Sequence, residues 1–340
     1  MYNKRIKIAF IAVLLTVFSC FLPICKISAQ GEGGMEAKAE CVIEQNSGRI
    51  LYEAKGDLRL PMASTTKIVT AITVLDHCND LQKKIEIPKE AVGIEGSSVY
   101  LQESEHYTVE ELLYGLMLRS GNDCAVALAL SFGNTMGEFI AKMNETAQRA
   151  GALNSRFENP HGLPCKNHYT TARDLCYITR YAMKNPIFSK IVATEYYSPR
   201  AWKNKNKMLT GYEGAIGVKT GYTKAAGRCL VSAATRNGMM VICTVLNCQA
   251  MYERSRQLMD DAFHSYRYVP LITSGTTLTV NECARGKVCT DYYYPLMQGE
   301  EVQLEIRTQP YSALKNQKVM GQFGIYLSKR LLFSGNLYKL

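Results

Sequence analysis

Apolar residues along this chain change their spacing twice. Residues 41–53 alternate around Asn46-Ser47-Gly48, which predicts two short strands and a turn. From Ser64 the spacing is helical: Ile68, Ala71, Ile72 and Leu75 fall on one face of a helix starting near Ser64. Thr108 and Glu111 form a capping box ahead of Val109, Leu112, Leu113 and Leu116. That helix runs towards Ser120-Gly121, where the glycine breaks it, and another starts at Asp123. Further helices are expected from Gly137 to Ala150 and from Thr171 to just before Asn185-Pro186.

After Tyr212 the texture becomes that of buried strands. Ile216–Thr220 is short, Arg228–Thr235 is nearly all apolar, and Asn237-Gly238 makes a two-residue hairpin into Met239–Leu246. A closing helix is expected over Tyr252–Tyr268. Beyond Pro270 only short strands separated by turn residues remain: Thr277–Val280, Val288–Tyr294, Val302–Ile306, Gly324–Leu327 and Arg330–Ser334. The order predicts an α+β fold over 30–270, an antiparallel sheet flanked by helices with a helical subdomain. A small all-β C-terminal domain over 271–340 follows.

The N-terminus stands apart. Lys4, Arg5 and Lys7 precede an apolar run from Ile8 to Cys25, and Ile27-Ser28-Ala29 supplies small residues for cleavage. Residues 1–29 read as a secretory signal peptide or, left uncleaved, as an anchor. Either way the working part is exported to the extracytoplasmic face of the membrane or the cell wall. Removing the leader's Lys4, Arg5, Lys7 and Lys26 lowers the formal net charge from +10 to +6, a modest excess that suits an anionic surface. The basic residues are scattered, which argues against nucleic acid as a partner. Ten of the 12 cysteines lie beyond the leader, several in apolar patterns where a free thiol acts as a small hydrophobe. Most are expected to be reduced and buried, with Cys283 and Cys289 the pair to test for a bridge. No Cys-x-x-Cys or Cys/His cluster occurs, so neither a metal nor another cofactor is expected.

The chemistry resides in three triplets. In Ser64-Thr-Thr-Lys67 a hydroxyl and an amine share a face at a helix start, so the lysine can act as base for the serine. The lysine must be neutral part of the time, and burial beside Lys219 would lower its pKa. Ser120-Gly-Asn122 falls where two helices meet; its hydroxyl can relay a proton and its amide can hold a peptide group. Lys219-Thr220-Gly221 lies on an expected strand, where a cation and a hydroxyl can face a carboxylate and glycine allows close backbone approach. Each triplet alone is weak. In this order, on these element types, they describe acyl transfer by a serine nucleophile.

The chain resembles the low-molecular-mass penicillin-binding proteins, the serine-type D-alanyl-D-alanine carboxypeptidases, from about Val42 to Phe263. The likeness rests on Pro61-Met-Ala-Ser-Thr-Thr-Lys67, Ser120-Gly-Asn-Asp123, Asn159-Pro-His-Gly-Leu163, Thr171-Ala-Arg-Asp-Leu175 and Gly217-Val-Lys-Thr-Gly-Tyr-Thr223. Residues 271–340 are similar to the family's β-rich C-terminal domain. The resemblance implies a β-lactamase/transpeptidase-like fold with Ser64 as nucleophile, Lys67 as its base, and Ser120 and Asn122 completing the catalytic set. It implies substrate binding by Lys219, Thr220, Gly221 and Tyr222, with an oxyanion hole from the amides of Ser64 and Tyr222. The expected partners are a peptidoglycan stem peptide ending in D-Ala-D-Ala and β-lactam antibiotics as acylating inhibitors. Peripheral membrane or wall association is a further expectation.

The sequence departs from the family in two places. The family's carboxylate-binding arginine near the last helix is replaced by Met251, with Arg254 and Arg256 as substitutes, and no amphipathic anchoring helix follows the β-rich module. Two rival functions remain. A class A-like β-lactamase would need a carboxylate to activate water, and Glu158 is the candidate, though Asn159-Pro-His-Gly lacks that class's Glu-x-x-Leu-Asn pattern. A non-catalytic wall-binding or β-lactam-sensing protein would not need Lys67. His161 reads as a structural histidine or a base, Trp202 with Lys203–Lys207 as a solvated loop or a glycan contact, and Tyr292–Tyr294 as packing of the β-rich module.

Overall fold

The computed structural model describes residues 4–6, 35–281, 284–308 and 318–339. The proposed leader therefore lies outside the described residues except for Lys4–Ile6, a short strand beside Val302–Thr308. The chain divides into two compact units, 31–264 and 265–340, the second taking in residues 1–30. Among the described residues no single helix is long and apolar enough to cross a membrane.

Unit 31–264 is built on a five-stranded antiparallel sheet: β1 (Ala39–Glu44), β2 (Ile50–Ala54), β3 (Ala215–Thr223), β4 (Gly227–Arg236) and β5 (Met239–Leu246). The spatial order is β2-β1-β5-β4-β3, which leaves β3 at an edge. Asn237 and Gly238 both have positive φ (49° and 79°), as the tight hairpin between β4 and β5 requires. β1, β4 and β5 are almost wholly buried because both faces are covered. Cys41, Ile43, Val231, Ala233, Ile242 and Leu246 join the core shared with the helices. The opposite face of β1 presents Glu40 to the helix Met251–Ser265, where Arg254 meets it.

The helices on the core side are α1 (Lys67–His77), α2 (Val109–Tyr114), α3 (Asn122–Gly133), α4 (Met136–Arg149), α5 (Ala172–Met183) and α6 (Pro186–Ala193). α1 is buried from Lys67 to Leu75, as expected of a central helix packed on several sides. α5 packs across β1 and β5. Asn185-Pro186 ends α5 as expected but also starts α6, with Asn185 capping and Pro186 in the first turn, where its missing N–H costs nothing.

The closing helix, α7 (Met251–Ser265), is shorter than expected. Tyr266–Ile272 forms a strand instead and pairs with Tyr292–Met297, so the expected boundary at 270/271 falls inside a strand of the second unit. Of the expected strand Val288–Tyr294 only Tyr292–Tyr294 is strand, within Tyr292–Met297, and Val288–Asp291 follows a separate strand, Ala284–Lys287. The C-terminal unit has a second sheet built on Thr277–Asn281, Ala284–Lys287, Val302–Thr308, Val319–Leu327 and Arg330–Lys339. Its core is Ile272, Val288, Leu304, Ile306, Phe323, Ile325 and Leu337. Tyr292 and Phe333 stack there, ring centroids 4.4 Å apart.

Candidate active site

Ser64 sits in a 3-10 turn, Ala63–Thr66, that leads into α1. The turn is pinned from within: Thr65 Oγ1 donates to Met62 O (2.7 Å) and Thr66 Oγ1 to Ala63 O (2.9 Å). Lys67, one turn on, has no exposed surface. Its Nζ donates to Ser64 Oγ (3.1 Å), Asn122 Oδ1 (2.6 Å) and His161 O (2.7 Å). Two of these partners are carbonyl oxygens that can only accept. A neutral Lys67 keeps both bonds with its two N–H groups, which turns its lone pair to the Ser64 hydroxyl. Burial first, and the neighbouring Lys219 second, push the Lys67 amine well below the ordinary lysine range.

α2 does not break at Gly121. It widens into a π turn over Gly115–Arg119 and ends at Ser120, whose backbone is left-handed (φ 63°). A non-glycine residue in this conformation is strained and held by its surroundings. Gly121 N–H closes the turn on Gly115 O (3.1 Å), and Asn122 then opens α3. Ser120 and Asn122 are thereby sunk beside Lys67, 5% and 3% exposed.

Asp123, next in the Ser120-Gly-Asn-Asp123 motif, is buried. It accepts from Ser98 Oγ (2.5 Å) and from the N–H groups of Val99 (2.9 Å) and Leu101 (3.2 Å). Asn122 N–H binds Ser97 O (2.7 Å), so residues 97–101 are fastened to the Ser120–Asn122 turn. The signal for this role was an aspartate in the first turn of a helix, which is too common to be read alone.

Lys219, Thr220 and Gly221 lie on edge strand β3, which runs along the Ser64 turn. A Cβ added to Gly221 would stand 3.0 Å from Ser64 N and 3.1 Å from Met62 O, so glycine is what permits this approach. Lys219 is 2% exposed and donates to Thr220 O (3.0 Å). Burial and then Lys205 lower its pKa to about 7. Tyr222 points outward and is 64% exposed.

The Asn159–Leu163 loop forms another wall. Gly162 has φ +91°, and a Cβ there would overlap Ala63 O. His161 Nδ1 accepts from Leu163 N–H (3.2 Å), and burial followed by the Lys67 charge lowers its pKa to about 4. It is a neutral structural residue whose carbonyl, not its ring, meets Lys67. His168 was missed from sequence. Its Nδ1 accepts from Glu158 N–H (3.0 Å), its Nε2 meets Thr66 Oγ1 (2.8 Å), and burial holds its pKa at about 4.

The remaining sequence candidates go elsewhere. The Glu158 carboxylate accepts from Asn167 N–H (3.1 Å) and faces Arg156 (3.8 Å), so it braces its own loop. Arg254 is bound through two nitrogens to Glu40 (2.6 and 2.7 Å), and Arg256 pairs with Glu253 (3.9 Å). Trp202 lies by Tyr197, ring centroids 6.1 Å apart. Cys41, Cys124, Cys176, Cys229, Cys243 and Cys248 are buried free thiols, Cys289 is free and exposed, and Cys283 lies outside the described residues.

Comparison with known proteins agrees with this geometry. The family model described as D-alanyl-D-alanine carboxypeptidase, peptidase family S11, matches residues 26–250. A D-alanyl-D-alanine carboxypeptidase of Streptomyces sp. (strain K15) is 40% identical over 227 residues, covering 60% of this chain and 78% of that protein. DacF of Bacillus subtilis, also a D-alanyl-D-alanine carboxypeptidase, is 32% identical, covering 74% and 68%. The crystal structure of the Streptomyces K15 DD-transpeptidase superposes with a TM-score of 0.64 at 36% identity, covering 69% of this chain and 99% of that one. Penicillin-binding protein 5 of Haemophilus influenzae shares the fold over 91% of this chain, with a TM-score of 0.73 at 24% identity. With its hydroxyl–amine pair, its Ser-Gly-Asn turn and its Lys-Thr-Gly strand gathered at one cleft, the chain belongs to the D-alanyl-D-alanine carboxypeptidase family of serine peptidases.

Proposed function

We propose that this protein removes the terminal D-alanine from peptidoglycan stem peptides through an acyl-enzyme on Ser64, and that penicillins acylate the same hydroxyl. Neutral Lys67 takes the Ser64 proton as Oγ attacks the carbonyl between the two D-alanines. The N–H groups of Ser64 and Tyr222 receive the developing oxyanion. Ser120 passes a proton to the leaving amine, and water then releases the shortened peptide. Asn122 holds Lys67 through Oδ1 and keeps one amide N–H for the substrate, since the other donates to Glu95 O (2.5 Å). Lys219 and Thr220 line the place for the terminal carboxylate.

The observation that carries this reading is the set of bonds at Lys67: a buried amine with two obligatory acceptors and one hydroxyl. A class A-like β-lactamase is the weaker reading, because Glu158 is committed to Asn167. An inert wall-binding or β-lactam-sensing protein has no use for a buried lysine with a lowered pKa. We assign residues 1–29 to a signal peptide, those from 30 to the end of α7 to the catalytic domain and those from Tyr266 onward to a β-rich C-terminal domain, with action outside the cytoplasm and peripheral association with membrane or wall. The test is D-alanine release from a peptide ending Lys-D-Ala-D-Ala, alongside the intact mass after benzylpenicillin. Release together with a stable adduct on Ser64 is expected; neither release nor adduct sinks the reading.

A further inference from the structure

Lys67 takes one of its two obligatory acceptors, the His161 carbonyl (2.7 Å), from the Asn159–Leu163 loop. Two ties hold that region to helices. Asn144 of α4 bonds the N–H and the carbonyl of Phe157 (3.0 and 2.9 Å), and Thr70 of α1 donates to Pro160 O (2.7 Å). His168 differs, because its two ring nitrogens join the loop to the nucleophile's own turn. Nδ1 accepts from Glu158 N–H (3.0 Å), so the ring proton sits on Nε2 and is donated to Thr66 Oγ1 (2.8 Å). Thr66 Oγ1 in turn donates to Ala63 O (2.9 Å), the carbonyl that Gly162 approaches too closely for a Cβ. Ala63 and Thr66 flank Ser64, so one imidazole sets the Ser64 turn against the loop that completes the Lys67 site.

The ring is held in a single state. It is 5% exposed and lies edge-on to Phe157, centroids 5.8 Å apart. The titratable groups that face it are Glu158 and His161. A second ring proton would set Nδ1–H against Glu158 N–H, and burial resists it. Around Lys67 the corresponding groups are Lys219 on β3, Asp123 and Cys124 at the start of α3, Lys205, and His161. Burial is the first cause of the lowered Lys67 basicity, and the Asn159–Leu163 loop is one wall of that burial.

We propose that His168 is a positioning residue for acyl transfer, which through Thr66 and Glu158 holds the His161 carbonyl on Lys67 and keeps water from the amine. Its ring meets neither Ser64 nor Lys67 and acts through the loop. What it controls is the fraction of Lys67 that is neutral, and with it the pH at which Ser64 becomes reactive.

The test is the pH profile of acylation by benzylpenicillin, a probe chosen because the proposal rests on the carboxypeptidase reading for its acyl-enzyme. In His168→Ala, water should reach Lys67 and move the acid limb of the profile up by about one pH unit. Acylation on that limb then falls about tenfold, and at alkaline pH it returns to within about twofold of wild type. His168→Gln, whose amide can still donate to Thr66, should show a smaller shift, and it decides the matter if His168→Ala does not fold. A rate lowered by one factor at every pH, an unmoved limb, or a shift in His168→Gln as large as in His168→Ala overturns the proposal. Wild-type protein that takes up no penicillin refutes the carboxypeptidase reading instead. His168 is then judged by NMR titration of protein carrying 13C at the lysine ε-carbons, the Lys67 signal being the one lost in Lys67→Ala. There the Lys67 titration must move up by about one pH unit in His168→Ala, and an unmoved titration rejects the assignment.

Discussion

The two units of this chain bury different things. Unit 31–264 hides Lys67, Lys219, Asn122, Asp123 and His168, each no more than 5% exposed. Among the described residues of 265–340, every buried core side chain is hydrophobic, from Ile272 to Leu337. Burying an amine or an amide is costly unless every polar atom finds a partner. The first unit meets that condition around Lys67 with two carbonyl acceptors and the Ser64 hydroxyl, and the result is a reactive group. The second has only to exclude water, as an all-apolar core does. Mutations should therefore separate chemistry from stability along the line between the units.

The largest effect is expected at the reactive pair. Ser64→Ala should abolish the penicillin adduct seen by intact mass, and Lys67→Ala should slow acylation about 10²–10⁴-fold in stopped-flow assays. The converse is Phe323→Ala, which should cost the C-terminal unit about 3–5 kcal/mol of stability. Ser64 acylation should meanwhile stay within about twofold of wild type; a larger loss would mean the units are not separable in this way.

Acid should act on the first unit through His168. Its folded pKa of about 4 lies below the ordinary 6.5, so between those values the unfolded chain binds the proton that the folded chain refuses. The contribution is complete above pH 6.5 and is lost as pH falls towards 4, by an amount on the order of 3 kcal/mol. Urea unfolding at pH 7 and pH 4.5 should show this loss, and His168→Gln should remove its share while leaving that of His161, whose pKa is also lowered to about 4. Gly162→Ala comes next: a Cβ against Ala63 O, at positive φ, should cost about 1–3 kcal/mol and misplace the Ser64 turn, read as a lower Tm with slower acylation. The smallest effect is expected for Glu158→Ala, whose deacylation rate should be unchanged. Faster turnover of benzylpenicillin in wild type than in this variant would restore the β-lactamase reading.

Much of the fold was legible because it rests on local pattern. The Thr108–Glu111 capping box, the Asn237-Gly238 hairpin and the helix capped by Thr171 stand where their short-range chemistry puts them. Errors fall where local signals tie. Tyr266-Arg-Tyr268 continues the apolar spacing of α7 equally well as helix or strand, and pairing with Tyr292–Met297 decides for strand. Ser120 in a left-handed conformation ends a helix that Gly121 was expected to break, because the π turn before it is a tertiary feature.

The site shows the same division. Ser64 and Lys67 meet because residues three apart on a helical turn share a face, which the spacing alone determined. The residue types of the other two triplets were equally plain. That Asn122 and the His161 carbonyl would hold the Lys67 amine, and that Gly221 would lie against Ser64 N, depends on segments 55 to 157 residues away. The engagement of Arg254 by Glu40, 214 residues away, is likewise a tertiary contact, whereas Glu158 is met by Asn167 nine residues on, within its own loop. A side chain's type and its near neighbours are written in the sequence; which distant partner claims it, and whether water reaches it, is decided only when the chain closes on itself.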